Sequence, residues 1–376
     1  MRGRSCFQWG ACKMENGRVL KGLNPFGLVP YSLKVALADP QRKSIPRFSL
    51  EILSYWFKKK EIPKQYVHKF LYRKGIRKPN EYLSTRQKIR LWTLALKADF
   101  KKVVPELDDK LIFYRTFKEN DIRLPAHIGH TNDTNYHDAS GEVILISGPA
   151  HLERVVSRIL NSGKTSFFAK PIQGYGGHGV FKVSSKTNWV EFYQAICSGS
   201  YLFQEAVLQH PTLAAIYPYS VNTIRIITCK GVGGDQKVHV GCAYIRFGRG
   251  GNFVDNLHSG GIRAGVDLCT GKICKHGSED IHLGGRIHKS HPDTGVKFAG
   301  LKIPFFQESV KMAKKAGAHL PYALVGWDIA VGLNGPVLME GNSKPDHHGS
   351  EIADGPYTRN PILRPFIQEL TERKGL

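Results

Sequence analysis

Two apolar runs near the end of this 376-residue chain flank a Gly/Asn-rich turn. They are Gly326-Trp327-Asp328-Ile329-Ala330-Val331 and Pro336-Val337-Leu338-Met339-Glu340-Gly341-Asn342, with Gly332-Leu333-Asn334-Gly335 between them. The pattern predicts a β-hairpin, because glycine and asparagine readily supply the positive φ values a tight turn needs. A turn centred on Asn334 leaves Asp328 and Glu340 equidistant from it and opposite each other across the ladder. Side chains alternate along a strand, so Asn342 shares the face of Glu340. Opposed carboxylates repel unless a cation joins them. Oxygen-only ligands, two of them charged, suit Mg²⁺ better than zinc or copper. The hairpin therefore predicts a magnesium site at Asp328, Glu340 and Asn342, of a kind that shares its coordination with substrate phosphates.

Apolar residues make up 41% of the chain and charged residues 23%, which predicts a globular body. No apolar run reaches the roughly 18 residues of a membrane span. Arg2 and Arg4 follow Met1 without a continuous apolar stretch after them, which argues against a secretory signal. The seven cysteines contain no C-x-x-C pair and are odd in number, so reduced thiols of a cytoplasmic protein are expected. There is no H-E-x-x-H, and His347-His348 reads as a solvated or substrate-side pair rather than a ligand set. The net charge of +23 attracts polyanions in general: nucleotides, phosphorylated sugars, nucleic acid or anionic lipid.

Along the chain, residues 1 to about 45 are irregular, punctuated by Pro25, Pro30, Pro40 and Pro46. Residues 49–100 turn helical, with Leu50, Leu53, Trp56 and Phe57 on one face, and residues 58–90 are dense in lysine and arginine. Aromatics at helical spacing among lysines predict a cap with its rings turned to the core; binding of RNA or a membrane surface is the competing reading. Past residue 105 helices and strands alternate in an α+β plan with antiparallel sheets. Three regions result: a basic, mostly helical 1–104, a subdomain at 105–205 with a glycine loop, and a subdomain at 206–376 with the metal hairpin.

That glycine loop, Gly174-Tyr175-Gly176-Gly177-His178-Gly179, formally satisfies G-x-G-x-x-G. A dinucleotide site would need a helix after it, whereas the strand Val180-Phe181-Lys182-Val183 follows. Strand, glycine loop, strand is the geometry of a flap whose backbone N–H groups close over phosphates. A protein kinase has such a loop too, but its lysine lies on a later strand and its His-Arg-Asp and Asp-Phe-Gly signatures are missing here.

The order of further segments carries a resemblance. Asp109-Lys110 leads to Leu124-Pro125, then Phe168-Ala169-Lys170-Pro171 with its loop, then Leu202-Phe203-Gln204-Glu205-Ala206-Val207. Val221-Asn222-Thr223-Ile224-Arg225-Ile226 follows, then Asp255-Asn256 with Gly260-Gly261, and last Asp328 with Glu340-Gly341-Asn342. Over roughly residues 105–350 this resembles the ATP-grasp superfamily of ATP-dependent ligases. Asn222-Thr223-Ile224-Arg225, His291-Pro292-Asp293-Thr294-Gly295 and Gly326-Trp327-Asp328 look most like the sugar-transfer associated branch, akin to α-L-glutamate ligase-like proteins. The basic helical first 100 residues depart from the Rossmann-like domain that many members carry. The resemblance implies an ATP-grasp fold, in which two α+β subdomains clasp ATP.

It also implies roles, which the residue chemistry supports. Lys110 and Lys170 would neutralise ATP phosphates, under the flap of Gly174, Gly176, Gly177 and Gly179. Gln204, Glu205, Ala206 and Val207 would form the hinge that reads adenine. Arg225, with Arg246 as a second candidate, would hold the β- and γ-phosphates. Asn256 would approach the transferring phosphoryl group. Asp328, Glu340 and Asn342 would bind one or two Mg²⁺, with Mn²⁺ able to substitute. The implied reaction joins a carboxylate to an amine through an acyl phosphate, one substrate being anionic. Competing readings are an ATP-grasp kinase of a polyanionic alcohol and a non-catalytic RNA- or membrane-binding protein. Nucleic acid is disfavoured as a partner, while peripheral membrane contact and a homodimer stay open.

Overall fold

The hairpin forms, and Asp328 does pair with Glu340, but for a reason the turn count misses. In the computed structural model, which describes residues 25–97, 101, 103–174, 176–231 and 236–372, the turn is the two-residue Leu333-Asn334 between paired Gly332 and Gly335. Strict pairing from that turn runs through Ile329 opposite Leu338 and would set Asp328 against Met339. A β-bulge between Asp328 and Ile329 absorbs one residue of the second strand. Beyond it Asp328 faces Glu340, Trp327 faces Gly341 and Gly326 faces Asn342. Bulges re-aim side chains in this way next to functional sites.

The helices are α1 (Pro25–Ala38), α2 (Ile45–Lys59), α3 (Lys64–His68), α4 (Thr85–Leu96), α5 (Pro105–Asp108), α6 (Lys110–Glu119), α7 (Pro149–Asn161), α8 (Trp189–Cys197), α9 (Pro211–Ala214), α10 (Phe306–Ala318), α11 (His347–Asp354) and α12 (Leu363–Glu372). One antiparallel sheet, ordered β3-β2-β1-β6-β4-β5, is built from β1 (His127–Asn132), β2 (Asn135–Asp138), β3 (Val143–Leu145), β4 (Phe167–Pro171), β5 (Phe181–Val183) and β6 (Tyr201–Glu205). The other, ordered β11-β10-β9-β8-β7-β12-β13, is built from β7 (Ile224–Lys230), β8 (Val238–Phe247), β9 (Ile262–Val266), β10 (Ile273–Ser278), β11 (Ile287–His288), β12 (Leu324–Gly332) and β13 (Gly335–Asn342). Both sheets are antiparallel and each packs helices against it, α7 and α8 on the first and α10 on the second, an α+β plan.

Period-two alternation sorts the seven-stranded sheet into two unlike faces. Ile224, Ile226, Ala243, Ile245, Ile262, Ala264, Trp327, Ile329 and Leu338 point into the main core under α10. Their neighbours on the strands, Arg225, Arg246, Arg263 and Asp328, point the other way, and the bulge turns Glu340 to that side although it lies two residues from Leu338. The charged face is therefore a property of the same strands that make the core.

Three sequence expectations need correction. Residues up to 45 are not irregular throughout, since α1 covers Pro25–Ala38; Pro25 takes the first helical position, where its missing N–H leaves nothing unsatisfied. The boundary drawn at residue 105 cuts across the packing. Leu107, Phe113, Phe117 and Ile122, from α5, α6 and the turn after them, belong to the core of the seven-stranded sheet, with Phe117 edge-on to Trp327 at 5.6 Å. Gly341 makes that possible, because a Cβ there would stand 2.4 Å from Leu107. Finally, Leu50, Leu53, Trp56 and Phe57 of α2 are exposed, while Phe48 and Tyr55 on the opposite side of the helix enter the core.

The N-terminal helices are bound to the rest by a buried ion pair. Lys69, just after α3, meets Glu351 of α11 with both side chains fully enclosed, and it also donates to the Leu83 carbonyl at 2.6 Å. Glu351 accepts further hydrogen bonds from the Leu83 and Tyr357 N–H groups. Cys197, Cys229, Cys242, Cys269 and Cys274 are unpaired thiols; Cys6 and Cys12 lie outside the described residues. No helix of the described residues is long and apolar enough to cross a membrane.

Candidate functional site

Strand register alone lays a row of charge across the seven-stranded sheet. Glu340 faces Asp328, Asp328 faces Arg225 and Arg225 faces Tyr244. Two residues along β8, Arg246 faces Arg263, which in turn faces Ser278. From Glu340 to Arg263 the row crosses four inter-strand gaps, about 19 Å. Its sign changes once, from two carboxylates at one end to three guanidiniums.

Asp328 holds the middle of the row together. Its carboxylate accepts from Arg225 Nε on one oxygen, and from Arg225 Nη2 (2.8 Å) and Arg246 Nη2 (2.8 Å) on the other. Arg246 also donates to Thr223 Oγ1 at 2.7 Å and lies 3.5 Å from Asp255. Asp255 in turn accepts from the Thr223 N–H at 2.9 Å. Burial alone would raise the Asp328 carboxyl, but the two guanidiniums outweigh it and hold it below the carboxylate range. Arg225 and Arg246 thus place positive charge beside the two opposed carboxylates. Asp328 is paired with both Arg225 and Arg246.

Glu340 is the carboxylate left over. Burial and then repulsion from Asp328 push it above its ordinary value, against Lys110, Arg225 and Lys170. Asn342 lies two residues along the same face and spends its amide nitrogen on the Gly326 carbonyl at 3.4 Å. The described residues contain no group of three or more His, Cys, Asp or Glu arranged to hold a metal. One carboxylate and one amide oxygen on adjacent same-face positions do fit Mg²⁺, which commonly takes one or two protein carboxylates and completes its shell with water and phosphate.

The flap is the second part of the site. Gly174, Gly176, Gly177 and Gly179, between β4 and β5, all have φ between +71° and +129°, a backbone that side chains rarely adopt. Lys110 Nζ donates to the Gly174 carbonyl at 2.8 Å, and the Asn256 side-chain amide donates to the Gly176 carbonyl at 2.6 Å. Asn256 comes from the loop after β8, so the flap of one sheet is tied to the other. Beneath it, Lys170 on β4 bonds the buried Gln204 side chain of β6 at 3.2 Å. Burial lowers Lys170 to about 8, with Lys110 adding to the effect and Glu340 opposing it. Of the other residues expected to form a hinge, Glu205 pairs with Lys164 at 3.2 Å, and Ala206 and Val207 follow the strand half-buried. Lys110, Lys170, Glu340 and Arg225 are thus brought within electrostatic reach of one another.

The family model for sugar-transfer associated ATP-grasp proteins matches residues 92–363, well over half the chain. The chain belongs to that family. Among solved structures, this ATP-grasp protein is similar to the ATP-grasp ligase PsnB complexed with minimal precursor, at 14% identity and TM-score 0.38 over 71% of this chain and 60% of that one. It is also similar to D-alanyl-alanine synthetase A from Vibrio cholerae O1 biovar eltor, at 13% identity and TM-score 0.43 over 71% and 65% of the two chains. A third is N5-carboxyaminoimidazole synthetase from Staphylococcus aureus complexed with ADP, at 10% identity and TM-score 0.38 over 65% and 46%. The ATP-grasp chain thus spans less than two thirds of the length of each of these structures. No curated protein matches it.

The outer end of the row holds Arg263, His68 and His282, which sequence reasoning left out, beside His348 of the pair read as solvated or substrate-side. Arg263, only 2% exposed, has Ser278 Oγ at 3.4 Å from Nε, and its Nη2 has no hydrogen-bond partner among the described residues. Arg263 and His348 lie close enough to Asp280 and to Asp346 to help hold both carboxyls below their ordinary value against burial. His282 and His348 pack around His68 of α3, with ring centroids 5.1 and 6.2 Å away. His282 Nδ1 and His348 Nε2 are likewise unpartnered among the described residues. A signal existed: a lone arginine in the apolar strand Ile262-Arg263-Ala264-Gly265-Val266 is costly unless its face is polar. No spacing announces His68, which comes from a separate helical region.

These imidazoles make stability pH-dependent. Burial is the main cause that lowers His68 from 6.5 to about 4 and His348 to about 3; His282 adds to the first shift and Arg263 to the second, while Asp280 and Asp346 oppose them. The unfolded chain takes up these protons near pH 6.5 and the folded chain only near 3–4, so protons favour unfolding. Stability is expected to fall as pH drops from about 6.5 towards 4. Urea unfolding across that range checks this, and a midpoint independent of pH would contradict the buried neutral imidazoles.

Proposed function

We propose that this ATP-grasp chain is a Mg²⁺-dependent, ADP-forming carboxylate–amine ligase. The observation that carries the reading is the charged row, Glu340-Asp328-Arg225 with Arg246, set beside a glycine flap and two lysines. ATP is the nucleotide such a cleft suits. Its triphosphate would lie between Lys110, Lys170 and Arg225, under the backbone N–H groups of the flap, with Gln204 to Val207 along the base. Glu340 and Asn342 would hold Mg²⁺, with Mn²⁺ an acceptable substitute; when bound, the ion neutralises charge on the β- and γ-phosphates.

The row contains no serine or cysteine nucleophile with a base, which suits a reaction in which the substrate supplies its own. A carboxylate oxygen attacks the γ-phosphorus and ADP leaves, giving an acyl phosphate. An amine then attacks the acyl carbon, the C–O bond to phosphate breaks, and phosphate departs. Arg225 and Arg246, fixed by Asp328, would stabilise charge on the transferring group without reorganising. Asn256 and Lys110 would keep the flap over the intermediate and water away from it. The outer end of the row, at Arg263, His282 and His348, is where the second substrate would sit.

A hydroxamate assay tests the reading. With ATP, Mg²⁺, a panel of amino and hydroxy acids and hydroxylamine, a hydroxamate should form together with ADP and inorganic phosphate. Transfer of the γ-phosphoryl group into an organic product would make the chain a kinase. The absence of both with every acid would leave the ligase reading without support.

A further inference from the structure

Helix α2 is apolar on two opposite sides, and only one of them is covered. At 100° per residue, Phe48 and Tyr55 fall on one side and Leu50, Leu53 and Phe57 within about 60° of one another on the other. Phe48 and Tyr55 are buried against Tyr66 and Tyr72 in the core of the N-terminal helices. Leu50, Leu53, Trp56 and Phe57 are 68%, 46%, 51% and 74% exposed. Four large apolar side chains clustered on one helix are not the scattered singles of an ordinary surface. Trp56 and Phe57 stand side by side, with ring centroids 5.7 Å apart. Arg47, ion-paired with Glu51 at 3.0 Å, and Lys58 flank the stripe along one edge and Lys60 lies past its C-terminal end, all three exposed.

We propose that α2 docks this chain onto an anionic lipid surface, laying Leu50, Leu53, Trp56 and Phe57 into the bilayer interface while Arg47, Lys58 and Lys60 meet the headgroups. Charge selects this occupant. A second copy packed face to face would set the cations Arg47, Lys58 and Lys60 of one stripe beside those of the other, because a two-fold interface applies the same patch to itself. A nucleic acid would use the rings but gain nothing from Leu50 and Leu53, since bases stack on aromatic planes. A lipid interface takes both halves of the pattern: aliphatic and aromatic side chains at the acyl boundary, tryptophan at headgroup depth, and basic residues towards anionic headgroups. The chain's net charge of +23 strengthens the attraction over the same distance range. Docking needs no membrane span.

The test uses the full chain and sonicated vesicles of phosphatidylcholine, with or without 30 mol% phosphatidylglycerol as an order-of-magnitude match to an anionic leaflet, roughly. Co-sedimentation should occur with the anionic vesicles and be weak with phosphatidylcholine alone. The double variant Leu53→Gln/Phe57→Gln should lose at least about tenfold in partitioning, because apolar burial sets part of the affinity. Lys58→Glu/Lys60→Glu should lose binding to anionic vesicles chiefly. Both pairs are exposed and outside the ATP cleft, so far-UV circular dichroism and ATP turnover should match the parent. Absence of binding to anionic vesicles would overturn the proposal. So would binding that the Gln variant leaves unchanged, which would assign it to net charge alone. A dimer seen by light scattering for the parent and lost in the Gln variant would make a second copy the occupant instead.

Discussion

Asp328→Ala is expected to lower the unfolding free energy by about 3–5 kcal/mol, the range for removing one partner of a buried ion pair. Asp328 is buried and accepts from both Arg225 and Arg246, so its loss leaves two guanidiniums inside the protein with one carboxylate fewer. Arg246 keeps Asp255 and Thr223; Arg225 has no second carboxylate within ion-pair distance among the described residues. The damage should therefore fall mainly on Arg225. A double-mutant cycle separates this from simple loss of packing: Arg225→Met added to Asp328→Ala should recover part of the stability, because an unpaired buried charge is removed. Additive effects in urea unfolding would mean the pair is not coupled. A neutral Asp328→Ala would mean that the carboxylate is free for a metal after all. The pH dependence has a defined sign. Held low in the folded state, Asp328 contributes stability above the unfolded carboxylate value, about 3.9, and that contribution is lost as pH falls below it.

What the amino-acid sequence disclosed, and what it hid, follows the range of the interactions. The Asp328–Glu340 pairing was legible because hairpin register is a short-range matter, yet the count succeeded only because a bulge offset a turn placed half a residue away. The flap was legible because four glycines in six positions have few other uses. Helix α2 was misread in direction, since periodicity defines a face but not which of two apolar faces is covered. That Leu107, Phe113 and Phe117 pack on the seven-stranded sheet was not legible, because α5 and α6 join it through contacts more than 200 residues distant, such as Leu107 against Gly341. The ion pairs of Asp328 were hidden for the same reason: Arg225 and Arg246 become its partners only when β7, β8 and β12 are laid side by side. Arg263 stood out only as a lone arginine in an apolar strand, and the grouping of His68 and His282 with His348 was invisible to any window of sequence. They assemble from β9, two helices and a turn after β10.

Glu340→Gln should have the opposite profile to Asp328→Ala: nearly unchanged stability and a fall in ATP turnover of about a hundredfold or more. The stability half follows from electrostatics. Glu340 is raised above its ordinary value by burial and by Asp328, so its charge is a net liability in the folded state, and glutamine keeps the shape without it. The turnover half follows from the proposed function. With Asp328 committed to two arginines, Glu340 is the only carboxylate of the hairpin still positioned to balance a divalent cation on phosphate oxygens. Losing several kcal/mol of such stabilisation corresponds to two or more orders of magnitude in rate. ADP release measured against Mg²⁺ concentration distinguishes causes. If Glu340 holds the ion, the variant should need far more Mg²⁺ for half-maximal rate and remain slow at saturation. A parent-like rate and Mg²⁺ dependence would remove Glu340 from the metal role, and a parent-like rate with collapsed stability would reverse the division of labour between the two carboxylates. The two variants together therefore ask one question of the hairpin: which acid is structural and which is chemical.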